Sequence, residues 1–197
     1  MEMKNHLQKL IKIATAGGAS DACFFGLKEL VIDDKLASMC STPQCRNYGH
    51  SASCPPHVEG PEALRRWRDL AESALAIRID VPVSILRSEE RYGVMKMLHE
   101  VVASVELTAI SLNYPGSRSF AGGSCKHIFC RDHGECLRLS EKGICRNPLH
   151  ARPSMSGFGI NVGMMMKAAG WEACKPLSEE DGSEEVSWVA GLVLISR

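Results

Sequence analysis

The chain has 197 residues, 45% of them hydrophobic, and Lys plus Arg and Asp plus Glu each count 23. That length buries one sizeable core and fits a single domain spanning 1–197, while the formal net charge of zero supplies no global field for nucleic acid or a membrane surface. Nine cysteines in a chain that opens without a secretory pattern point to the reducing cytoplasm, where metal binding outranks a disulfide framework.

The elements follow in chain order. Met3, Leu7, Leu10, Ile11 and Ala14 recur at helical spacing, and Gly17-Gly18 closes that helix. Residues 22 to 32, ACFFGLKELVI, are aromatic and branched enough for a strand, with Cys23 inside it as a small buried hydrophobe. From 37 to 60 periodicity gives way to Ser, Pro, Gly and Cys. A loop that long needs a reason, and metal ligation by Cys40, Cys45 and Cys54 supplies one.

Pro61 suits the first turn of a helix whose stripe is Leu64, Trp67, Leu70 and Ala71. Residues 74 to 83 alternate as a strand. Ser88 caps a long helix carrying Val94, Leu98, Val101, Val105 and Leu112, on which Met95, Met97 and His99 read as packing and solvated surface. SRSFAGG is a short strand that delivers Cys125 to a sheet edge, opening a second cysteine loop at 123–156. A helix over 160–170 follows, then strands at 171–176 and 186–196. The order predicts a mixed α/β sandwich: a mixed sheet of about five strands with flanking helices, some parallel pairing by crossovers, and an antiparallel closing pair. No apolar run approaches the roughly 18 residues of a membrane span.

Cys125, Cys130, Cys136 and Cys145 fall within twenty-one residues, and thiolates in fours suit zinc or an iron–sulfur cluster. No two cysteines are separated by the two-residue interval of a zinc knuckle; intervals of four, five and eight suit a wider object, which favours a 4Fe–4S cluster over zinc. Cys54-Pro55-Pro56 is also similar to the ending of bacterial cluster motifs. The upstream three cysteines need a fourth ligand from Cys23, Cys174, His50 or His57, or else leave a position open for substrate or an exogenous thiol. His127, His133 and His150 also lie in or beside the cysteine segments, where ordinary exposed side chains are the plain reading. Arg152 is a candidate charge partner for an anionic cluster or substrate, weighed evenly against a surface arginine. Gly157-Phe158-Gly159 reads as a tight turn rather than a phosphate loop.

CRNYGHSASCPP, followed far downstream by four cysteines and ARPSMSGFGINV, resembles a family of predicted metal-binding proteins of the Cys-Pro-Pro type, over about Cys40 to Val162. The resemblance implies that all seven cysteines, Cys40, Cys45, Cys54, Cys125, Cys130, Cys136 and Cys145, are ligands. It further implies that Tyr48 and Gly49 shape the first loop and that Arg152 to Met155 support the second, so Arg152 and Ser154 are the expected cofactor-binding residues. The second cysteine group is more widely spaced here than in that family pattern, with charged residues in RDHGE and LRLSEKG. The expected function is a cytoplasmic iron–sulfur protein carrying one or two 4Fe–4S clusters, working in electron transfer or a redox step with a partner protein or small molecule. The alternatives are a zinc-stabilised binding module and an enzyme using an incompletely ligated cluster at Cys40, Cys45 and Cys54.

Overall fold

Ser73–Pro82 and Val186–Ile195 are the longest extended segments: β-branched and other apolar residues fill much of both, with Arg78 and Asp80 alternating among them in the first. In the computed structural model, which describes residues 2–140, 143–171 and 185–197, they lie side by side at the centre of a sheet. The strands are β1 (Asp21–Phe25), β2 (Ser73–Pro82), β3 (Arg118–Ala121) and β4 (Val186–Ile195), in the order β1-β2-β4-β3 with every neighbouring pair antiparallel. β2 and β4 pair along their full length, from Ser73 opposite Ile195 to Pro82 opposite Val186.

Among the described residues seven α-helices surround the sheet: α1 (Glu2–Ala16), α2 (Asp34–Ser38), α3 (Gly60–Leu70), α4 (Val83–Arg87), α5 (Arg91–Ser111), α6 (Cys125–Phe129) and α7 (Val162–Ala168). Strand alternation divides the core between the two faces. On one face Leu75, Ile77, Val193 and Ile195 meet Leu10 and Ala14 of α1 and Leu98, Val102 and Val105 of α5. On the other, Ala74, Ala76, Leu192 and Leu194 meet Leu64 of α3, Met165 and Met166 of α7, and Phe158. Gly191 lets α5 come close: a Cβ there would stand 2.4 Å from Val102 Cγ1.

The mixed α/β class is as expected, but the sheet departs from the expectation in strand number and pairing. Four strands are described rather than about five, and the candidate at 171–176 lies outside the described residues from 172 on. The segment 22 to 32 stops as a strand at Phe25, because Glu29 Oε2 accepts from the Gly26 amide and draws the chain into a 3₁₀ turn at Leu27–Glu29. Among the described strands no neighbouring pair is parallel. β2 and β3 do run the same way, joined by α4 and α5 as the crossover pattern predicts, but β4 inserts between them and pairs antiparallel with both. His99 is fully buried rather than solvated, and Leu70, at 73% exposed, lies off the apolar stripe of α3. No helix of the described residues is long and apolar enough to cross a membrane.

This topology sets the two cysteine loops beside one another. The chain leaves β3 at Ala121, makes the second loop, and returns to the same strand end, where the Ala121 amide donates to Pro153 O at 3.0 Å. The first loop meets that return point: Ser154 N–H donates to Ser53 O at 2.9 Å.

Candidate metal centre

The first cysteine loop is a succession of tight turns that satisfy their own backbone. Cys45 N–H donates to Cys40 O at 3.0 Å, Tyr48 N–H to Cys45 O at 2.9 Å, and Gly49, at φ +77°, donates to Pro55 O at 2.8 Å. The turns bring Cys40, Cys45 and Cys54 onto the wall of one cavity of about 540 Å³. Leu36, Met39, Tyr48, Ile160 and Val162 form much of the rest of that wall.

The second loop is anchored at the start of α6. Cys125 opens the helix and is buried, Cys130 closes it, and the Leu139 amide donates to Cys136 O at 2.9 Å in the turn beyond. Asn147 then ties two thiols together: its amide donates to Cys145 Sγ at 3.3 Å and its Nδ2 to Cys130 Sγ at 3.6 Å. All four cysteines line one small cavity of about 20 Å³. Among the described residues no three His, Cys, Asp or Glu side chains already stand as a set that could hold a single ion. The sulfurs surround spaces rather than meeting at a point.

The two sets are neighbours. Ser53 Oγ lies 3.0 Å from Cys125 Sγ and 4.0 Å from Cys54 Sγ, and the Cys54 thiol donates to Ser124 Oγ at 3.3 Å. Burial pushes the Cys125 thiol up to about 11, with Cys54, Cys145 and Cys136 adding to the rise and the hydroxyl of Ser53 opposing it. Burial likewise raises Cys40, helped by Cys45 and Cys54. Crowded sulfurs resist ionising together, and a metal cation reverses that balance because it favours thiolate over thiol. The donor chemistry therefore fits a thiophilic metal. Basic groups stand over the second loop: partial burial first, then the charges of Arg46, Lys126, His50 and Arg131, lower the pKa of His127.

The remaining sequence candidates fall in different places. Ser154 lines the three-cysteine cavity, whereas Arg152 lines neither cysteine cavity. The Arg152 side chain is 8% exposed; its Nε donates to Glu106 Oε2 at 3.2 Å and Ser119 Oγ at 3.0 Å, and its amide donates to His99 Nδ1 at 3.1 Å. Among the proposed fourth ligands, Cys23 sits in β1 packed against the core, His50 and His57 are exposed, and none of the three lines the 540 Å³ cavity. Cys174 lies outside the described residues. Gly157-Phe158-Gly159 makes the expected tight turn, closing a 3₁₀ segment at Gly159 with φ +69°.

Ser53, Ser124, Asn47 and Asn147 were not expected at the site. One signal was available for the asparagines: Cys-Arg-Asn occurs twice, at 45–47 and 145–147. In both copies the Asn amide donates to the Cys sulfur two residues before it, at 3.5 and 3.3 Å.

An antiparallel α/β fold presenting two adjoining thiol-lined cavities defines a cysteine-rich protein built around soft sulfur donors. The chain belongs to the family described as predicted metal-binding protein (DUF2284), whose model matches residues 24–195. No curated protein and no solved structure matches it.

Proposed function

We propose that this chain is an iron–sulfur protein of the cytoplasm. Cys125, Cys130, Cys136 and Cys145 would hold one 4Fe–4S cluster completely, and Cys40, Cys45 and Cys54 would hold a second with three protein ligands. The observation that supports the reading is the sorting of seven thiols into two adjoining sets, four around one cavity and three on the wall of a cavity of about 540 Å³ that no further described Cys or His lines. When bound, such clusters supply one-electron transfer, and an iron without a protein ligand accepts an exogenous donor.

The chain's own residues have definite tasks in this scheme. Asn147 and Asn47 donate amide protons to cysteine sulfurs, which tunes potential and fixes sulfur orientation. Ser53 bridges the two sets by its hydroxyl. Arg46, Lys126 and Arg131, gathered near His127, favour an acidic redox partner at the four-thiol loop, while the larger cavity suits a small molecule.

Iron, zinc and acid-labile sulfide counts on anaerobically purified protein test the proposal. About eight irons with matching sulfide are expected, falling by about half in either Cys136→Ser or Cys45→Ser. The narrowness of the four-thiol cavity favours a second reading, one structural zinc ion there. Zinc without sulfide, and no electron paramagnetic resonance signal after reduction, would overturn the first reading and establish the second.

A further inference from the structure

A further cavity, of about 400 Å³, is built by both cysteine loops together with β3 and α5. Ala52, His57 and Val58 reach its wall from the first loop, and Pro148, Arg152 and Pro153 from the second. Its volume is that of a small-molecule site. The charged part of the wall is mixed: Arg118 and Arg152 supply guanidiniums, Glu59 and Glu106 carboxylates, and the exposed His57 stands among them. Neither arginine lines a cysteine cavity.

Both arginines keep donors that the protein does not use. The Arg152 side chain is 8% exposed, and its Nε and Nη1 are taken by Glu106, Ser119, Pro148 O and Ala151 O. Its Nη2 has no hydrogen-bond partner among the described residues, and in contrast to the orphaned, buried Nε2 of His99 it retains accessible surface. Arg118 is exposed; its guanidinium carbon lies over the Trp67 ring, 4.2 Å from the centroid, and no carboxylate or other acceptor among the described residues meets it. Trp67 is itself packed 5.5 Å from Phe158, so the stack steadies this cation while leaving its N–H groups free. Glu106, in contrast, is already met by Arg152 Nε and by the Ser119 amide and hydroxyl.

Unused N–H groups from two guanidiniums on one wall call for an anionic acceptor, and the planar fork matches a carboxylate. A single negative charge suits this wall better than a dianion, because Glu59 and Glu106 face the same space and repel added charge. Val58, Trp67, Leu107 and Pro148 give the rest of the wall an apolar surface that stays at least partly exposed. We propose that this cavity binds a small monocarboxylate with an apolar body, its carboxylate held by Arg118 and by Nη2 of Arg152. A molecule seated there lies against the segments that carry Cys54 and Cys145, since Ala52 and Pro148 belong to those segments. Its binding does not depend on whether the sulfurs hold iron or zinc.

The test titrates hydrocinnamate, its neutral counterpart hydrocinnamamide and the dianion phenyl phosphate into the full-length, metal-loaded protein by ligand-observed NMR, with iron, zinc and sulfide counted on the same preparations. Hydrocinnamate should bind, and each of the other two at least about tenfold more weakly. Arg118→Gln should weaken hydrocinnamate at least about tenfold and leave hydrocinnamamide within about twofold, erasing the preference for the acid. Leu107→Glu, which adds a carboxylate to the wall, should weaken the acid as well. Arg152→Lys, which keeps a cation for Glu106 but has no second terminal nitrogen, should do the same; if that variant does not fold by circular dichroism, Arg118→Gln decides. Arg66→Gln, at an exposed arginine of α3 that does not line the cavity, should change nothing. Equal binding of acid and amide, phenyl phosphate as tight as the acid, no loss in Arg118→Gln, an equal loss in Arg66→Gln, or no acid binding up to about 10 mM would overturn the proposal. If the sulfide count fails while hydrocinnamate keeps its preference and its sensitivity to Arg118→Gln, the iron–sulfur reading falls and the carboxylate site stands.

Discussion

Replacing Arg152 by Met should be among the most damaging single changes outside the cysteines. The side chain of Arg152 is 8% exposed and that of Glu106 16%, so the pair is largely removed from water. Substitution removes the contacts of Nε with Glu106 and Ser119, and those of Nη1 with Pro148 O at 3.3 Å and Ala151 O at 3.0 Å. The Glu106 carboxylate then stays buried with only the Ser119 amide and hydroxyl to satisfy it. An uncompensated buried charge of this kind costs about 3–5 kcal/mol. Glu106→Gln, which keeps an acceptor for Ser119 but not the charge, should cost about 1–2 kcal/mol. Because Gln removes the stranded charge, Arg152→Met with Glu106→Gln should cost less than the sum of the singles by about 1–3 kcal/mol. Urea unfolding followed by circular dichroism measures all three. Pro148 and Ala151 lie between Cys145 and Ser154, so Arg152→Met should also lower metal occupancy. A cost below about 1 kcal/mol for Arg152→Met, with additive double-variant behaviour, would refute a structural role for this buried pair.

Other expectations concern pH, packing and metal removal. Burial first, and then the Arg152 charge, lowers the pKa of His99 from the ordinary 6.5 to about 4, with the backbone of Gly122 and His150 weakly opposing. The folded state thus holds His99 neutral while the unfolded state protonates it. The stabilisation is present above pH 6.5 and is lost as pH falls from there through 4, amounting to about 3 kcal/mol. His99→Gln should flatten that part of a stability-against-pH curve measured by urea unfolding. Gly191→Ala should cost about 1–3 kcal/mol, since its Cβ would stand 2.4 Å from Val102 Cγ1 and 3.1 Å from Phe120 O; a thermal melt within one degree of the parent's would contradict this. Removing metal should open the first loop at the exposed Arg46, seen as faster tryptic cleavage there than in the loaded protein.

The parts of the fold set by local pattern were legible in the sequence, and those set by distant pairing were not. Helix α5 emerges from Val94, Leu98, Val101 and Val105 at helical spacing, and β4 from an apolar run broken by Ser187 and Gly191 alone. The position of β4 between β2 and β3 is a matter of non-local pairing, for which periodicity carries no information. The grouping of cysteines into two sets could be read from spacing alone, and the two sets do line two cavities. Ser53 could not be found that way: it is a plain serine until the fold sets it 3.0 Å from a thiol at residue 125. Arg152 was weighed as a cluster partner or a surface residue, and its burial against α5 reflects where Glu106 lands one helix away. His99 was hidden by its polar type, because an acceptor for the Arg152 amide is invisible until the second loop closes on α5.

Ser53 touches the second loop twice, through its carbonyl to Ser154 N–H and through its hydroxyl near Cys125. A peptide copying residues 40 to 54 would lack the scaffold that sets Cys54, and one copying residues 125 to 145 would lack the hydroxyl that faces Cys125. Neither centre is a transplantable module. On the proposed two-centre reading, loading one loop would restrain the segment that shapes the other, so the two should fill with positive linkage, the first metal lowering the entropy cost of ordering the site for the second.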